Sequence, residues 1–170
     1  MARKSPTQIP PNDVNLDTAE LVDRYEAGAA RIREAVMGAD DESLRRRPAP
    51  EQWSCHDILC HLADCDQFLA DRMKRTLADD KPLLLGAPTH LYPEPLHYAE
   101  RVVEEELVLI AATRAQMARI LRLVSREAWD RPAVHSENGL ITLRQIVLHA
   151  VHHTDVHVAR MHTNLAADAR

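Results

Sequence analysis

Apolar side chains recur along this chain at intervals of three and four residues, the period of one face of an α-helix. Leu21, Tyr25, Ala29, Ile32 and Val36 keep that spacing, as do Ile58, Leu62, Cys65 and Leu69. A third stripe runs through Leu107, Ile110, Ala111, Arg114, Met117, Ile120 (or Leu121) and Val124, and a fourth through Leu143, Ile146, Val147 and Ala150. A half-buried strand would alternate at every second residue, and runs of Val, Ile, Thr and aromatics are nearly absent. The pattern predicts an all-α chain, a four-helix bundle without a sheet.

Local signals set the expected boundaries. The first helix starts at Asp17 or Thr18 and stops near Gly38, a residue suited to a left-handed terminus. A linker then passes Pro48 and Pro50 to Trp53. Ser54 reads as an N-cap, with Asp57 three residues on in the place of a capping-box acid, so the second helix runs from Cys55 to about Leu77. Pro82, Gly86, Pro88, Pro93 and Pro95 make a long irregular connection. The third and longest helix is predicted from about Leu96 to Val124. Ser125 opens a short turn around Trp129, Asn138-Gly139 marks another turn, and Thr142 caps a last helix reaching about Leu165. Residues 1–16, with Pro6, Pro10 and Pro11, read as a flexible segment ahead of one domain over 17–167. The order of the helices around the bundle is not encoded in periodicity.

Composition removes several function classes. A chain of 170 residues can bury a core without disulfides, and three cysteines with no secretion signal argue against a disulfide framework. A net charge of -5 provides no broad footprint for nucleic acid; the dense run Arg45-Arg46-Arg47 is expected as a solvated loop. No apolar leader and no bilayer-length stretch is present, so no membrane partner is expected and cytoplasm is the expected setting. Only four glycines occur, and no dinucleotide, P-loop or α/β-hydrolase motif is found.

The histidines are the anomaly. There are ten, and His149, His152, His153 and His157 crowd the last predicted helix. Residues four apart on a helix lie one turn apart on the same face, so His149/His153 or His153/His157 could point at one ion. His152 falls on the side away from the apolar stripe. His61 lies on the seam of the second helix. A lone histidine beside a core stripe is ordinarily a hydrogen-bonded packing residue, but two inward sets on separate helices suggest three neutral imidazoles with an open fourth position. Cys55, Cys60 and Cys65 are five apart and do not converge, although Cys65 sits one turn from His61. Asp64 and Asp66 are expected to be solvated or paired, or to orient an imidazole. Arg160 is read as favouring the helix C-terminus, with an anionic substrate as the alternative.

The segments W-S-C-H-D-I-L-C-H-L-A-D, from Trp53, and T-L-R-Q-I-V-L-H-A-V-H-H, from Thr142, resemble the DinB-like family, the DinB/YfiT group of bacterial metalloproteins. That resemblance implies a four-helix bundle holding a divalent metal on His61, His149 and His153. Around His157 the chain departs from the family pattern, which leaves His153/His157 as a competing pair. The implied cofactor is zinc or nickel, with iron or manganese as alternatives. The implied function is a metal-dependent enzyme, a thiol-dependent S-transferase or a hydrolase, acting on a small molecule with a low-molecular-weight thiol as one candidate partner. One related group isomerises maleylpyruvate. A homodimer is a further family-level expectation. The alternative is a non-enzymatic, stress-linked metal-binding protein, which a closing fourth ligand such as His157 or His97 would favour. A third reading has the histidines packing without metal.

Overall fold

The computed structural model describes residues 16–168, so most of the expected flexible segment lies outside the described residues. Helices α1 (Thr18–Val36), α2 (Asp41–Arg45), α3 (Cys55–Ala78), α4 (Val103–Leu123) and α5 (Leu143–Asp168) account for most of them. The four long helices form the expected bundle. Helix α1 packs on α4 and α5, and α3 packs on the same two, so α1 and α3 face each other across a diagonal. Segment 37–54 therefore leads across an end of the bundle rather than to a neighbouring helix.

Helix ends follow the local chemistry. Ser54 accepts from the Asp57 backbone N–H while Asp57 accepts from that of Ser54, both at 3.0 Å, closing a capping box at the start of α3. Thr142 and Gln145 make the equivalent exchange at the start of α5. Gly38, at φ 81, supplies the left-handed residue after α1.

Three expectations need correction. The third helix begins at Val103, not Leu96, because the preceding segment is tied to α3: the Tyr98 hydroxyl donates to Asp64 at 2.6 Å and Arg101 pairs with the same carboxylate at 3.0 Å. His97, at φ 49, also breaks any helical run there. Arg45 closes the short helix α2 instead of lying in a loop; Asp40 caps it by accepting from Ser43 N–H. Finally, a small sheet exists. Strand β1 (Leu83–Leu84) pairs in parallel with β2 (Pro132–His135), and β2 pairs antiparallel with β3 (Gly139–Thr142). Its buried Leu84, Ala133 and Ile141 close one end of the core against Leu69, Met73 and Ile146.

The core is split in two. One apolar cluster gathers Tyr25, Met73, Met117 and Val147; the other gathers Ile32, Ile58, Leu62, Ile110 and Met161. Between them lies a polar layer. Arg114, only 1% exposed, donates two hydrogen bonds to Asp66 at 2.6 and 2.8 Å, one to Thr154 Oγ1 at 2.8 Å and one to the Tyr25 carbonyl at 3.2 Å. A buried guanidinium is tolerable only with its donors matched in this way.

Candidate metal centre

The histidines of α3 and α5 meet beside that polar layer. His61 Nε2 lies 3.1 Å from His153 Nε2, although 92 positions separate them in the chain. Cys65, one turn beyond His61, places Sγ 3.6 Å from His61 Nε2. One ligand atom from each of His61, Cys65 and His153 fits within 4.8 Å of the others.

The remaining two histidines of the α5 face flank this group. His157 packs its ring 4.5 Å from His153 and 4.9 Å from His61, centroid to centroid. His149 stacks on His153 at 5.8 Å, on the other side. Both Nδ1 atoms, of His149 and of His157, are buried without a hydrogen-bond partner. Trp53 covers the centre from outside α3, 4.7 Å from the His61 ring and 6.4 Å from that of His157. It is half-buried, and its carbonyl accepts from Asn164 Nδ2 at 3.0 Å.

The electrostatics favour uncharged imidazoles. Burial is the largest influence on each ring, reinforced by neighbouring histidines and arginines. His61 and His157 are pushed down to about 3 and His149 to about 4, while His153 falls well below the usual 6.5. Burial, with Asp66 and Asp64 nearby, pushes the Cys65 thiol up to about 12. At neutral pH the rings are therefore lone-pair donors, and the thiol holds its proton until something displaces it.

His61, Cys65 and His153 fit a divalent ion. Tetrahedral geometry at ordinary zinc bond lengths places two nitrogens about 3.3 Å apart and a nitrogen and a sulfur about 3.6 Å apart, close to the separations above. Two buried orphan nitrogens on either side add spare donor capacity.

His152 is exposed, as expected, and His97 is exposed and outside the cluster. Neither Asp64 nor Asp66 orients an imidazole, since Arg101 with Tyr98 and Arg114 occupy them. Arg160 is two turns from the end of α5, not at it, and its charge acts on His61 and His157. His56 is buried with Nε2 2.9 Å from the Arg101 carbonyl, a packing role. Sequence reasoning passed over Arg72 and His135, which sit near His149; the i,i+7 step from Cys65 to Arg72 marks a shared helix face, but nothing local ties His135 to it. A separate open cleft, lined by Asp17, Arg122, Arg126 and Trp129 among others, contains none of the histidines.

A helical bundle with a buried histidine cluster spanning two helices sets the class by its fold and by that cluster of lone-pair donors. Residues 24–161 match the DinB superfamily, and the chain belongs to it. It is similar to YuaE of Bacillus subtilis (strain 168), at 26% identity over 141 residues, covering 74% of this chain and 85% of that protein. It is also similar to the Oceanobacillus iheyensis protein named "Putative metal-dependent hydrolase OB0413", at 22% identity over 157 residues, covering 91% and 88% of the two chains. Among solved structures, YfiT from Bacillus subtilis, titled "a probable metal-dependent hydrolase with an unusual four-helix bundle topology", superposes with a TM-score of 0.85. That match covers 94% of this chain and 93% of YfiT at 20% identity, a likeness of fold.

Proposed function

We propose that this protein is a metal-dependent hydrolase of a small molecule, with a divalent ion, zinc or nickel, held by His61, His149 and His153. The observation that carries the reading is the 3.1 Å approach of His61 Nε2 to His153 Nε2, two buried and uncharged rings delivered by different helices. His149 is preferred to His157 as the third imidazole because it borders the cleft between α3, α5 and the β2–β3 hairpin. His157 instead is buried and stacks against Trp53. The relatives named as metal-dependent hydrolases support the reaction class.

When bound, such an ion supplies a water-derived nucleophile at neutral pH. The chain's own residues do the rest. Trp53 excludes water from the back of His61, and burial keeps the rings unprotonated. Cys65 stands beside the centre as a protonated thiol. The same open position suits a low-molecular-weight thiolate, so thiol-dependent S-transfer is the second reading, favoured by the accommodation of sulfur already evident at Cys65.

Elemental analysis of tag-free protein tests the proposal. About one equivalent of zinc or nickel in the parent, and far less in His61→Ala, is the expected result. Equal metal content in the two proteins would remove the assignment.

A further inference from the structure

Next to the histidine cluster, α3, α5 and the β2–β3 hairpin enclose a small cleft whose polar lining is Arg72, His135, Asn138 and His149. Leu69, Ile141 and Ile146 make its apolar side. Its volume of about 20 Å³ admits a group the size of one water, such as a single polar headgroup.

Donors dominate this lining. Arg72 is half-buried and gives one guanidinium N–H to the Leu85 carbonyl. No carboxylate among the described residues pairs with it at salt-bridge distance, in contrast to Arg101 and Arg114, which are both paired with carboxylates. His135 is buried, and its Nδ1 accepts the Glu137 backbone N–H at 3.2 Å and lies 3.4 Å from Asn138 Nδ2. That contact fixes the tautomer: in the neutral ring the proton sits on Nε2, the donor left on that side chain. Glu137 tempers the local field, since its charge reaches Arg72 and His135. Its carboxylate, however, lies against Gly86 and is not part of the lining.

We infer that this cleft is the substrate-anchoring subsite of the centre, taking the edge of a small molecule's planar carboxylate on Arg72 and His135 while the rest of the molecule lies outside it, on the His149 side. The inference rests on the proposed metal centre for its role, because His149 belongs to both. An anchored carboxylate places the neighbouring part of the substrate beside His149 and the ion. His135 is a positioning residue as well, since its Nδ1 bond also braces the hairpin turn. A planar guanidinium suits a carboxylate by parallel donation, and a half-buried cation without a counter-ion is stabilised when one arrives.

The test is a titration of the purified, metal-containing full chain with propionate, with propionamide as the neutral isostere and inorganic phosphate as the anion lacking a carbon chain. Binding is read from the NMR shifts of the Ile141 and Ile146 methyl groups, which line the cleft, at constant ionic strength. The expected result is saturable binding of propionate, with propionamide and phosphate weaker. Arg72→Gln and, independently, His135→Gln should each weaken propionate by about tenfold, the value of a lost charge-assisted hydrogen bond, and Arg72→Lys should recover part of the loss. Melting curves identify any variant that is misfolded, and the other variant then decides. Undiminished propionate binding in the folded variants, equal binding of propionamide, or tighter binding of phosphate overturns the subsite. Metal content, measured on the same samples, is expected to be unchanged by Arg72→Gln. A parent without metal would defeat the metal centre while leaving the propionate result standing.

Discussion

Gly28 of α1 and Arg114 of α4 share one volume: a Cβ on Gly28 would lie 2.0 Å from Arg114 Nη1 and 3.3 Å from its Cζ. The glycine is there for space, in the middle of a helix where it otherwise weakens the backbone. Gly28→Ala is therefore expected to lower stability by about 3 kcal/mol, since the guanidinium must withdraw from Asp66. Urea denaturation measures this, and an unchanged midpoint would mean that Arg114 can move aside freely.

The pair behind that glycine yields a second expectation. Burial raises the Asp66 carboxyl pKa and Arg114 opposes the rise, so the carboxylate depends on the guanidinium to remain charged. Asp66→Asn leaves a guanidinium uncompensated and should cost roughly 3–5 kcal/mol. The double replacement Asp66→Leu with Arg114→Met should cost less than that single change. If the double variant is the least stable, the layer contributes more than mutual neutralisation.

Much of this organisation was readable in the sequence. The capping-box pattern at Ser54 and the cap at Thr142 identify two helix starts, and four-residue histidine spacing identifies the inward face of α5. What escaped was held by distant contacts. Strand β1 has only two residues and exists because β2 pairs with it from a remote part of the chain. Asn138-Gly139 was visible as a turn, but the flanking Ala133-Val134 and Leu140-Ile141 are too short to show a strand period. Likewise the segment before Val103 looks helical until Asp64 captures Tyr98 and Arg101. The diagonal placement of α1 and α3 leaves no trace in any one stripe.

Acid should unfold the protein through its imidazoles. In the folded state His61 and His157 titrate near 3 and His149 near 4, whereas in the unfolded chain they titrate near 6.5. Between those limits the unfolded chain binds more protons, so stability rises with pH and falls as pH drops below about 6.5. Thermal melts in chelator should be flat above about pH 7 and decline steadily toward pH 4.5, with a shallower decline in His157→Gln. A flat profile throughout would show that the rings protonate without unfolding.

The choice of third ligand can be resolved by single replacements. His149→Ala and His153→Ala should each lower metal affinity by far more than His152→Ala, which alters an exposed ring. His157→Ala and Cys65→Ser should retain the ion. Loss in His157→Ala with retention in His149→Ala reverses the register, and loss in Cys65→Ser alone makes the thiol the third ligand.

Trp53 is a lid on His61 and only half-buried. Trp53→Ala should cost about 2–3 kcal/mol, the lower part of the range for buried aromatics. It should also hydrate His61 and move its titration upward from about 3. NMR titration of the His61 ring measures that shift. A midpoint left where it was would show that the indole contributes little to the ring's dryness.

The separation of 92 positions between His61 and His153 also dictates when the centre can exist. Contacts this remote in sequence form late, after the entropy of closing the intervening chain has been overcome. During synthesis, α3 emerges with its imidazole and thiol long before α5 is available to meet them. An ion held as proposed would have no complete seat until the final helix docks, and its uptake would time the last step of folding: stopped-flow metal binding should track that step and not the earlier collapse.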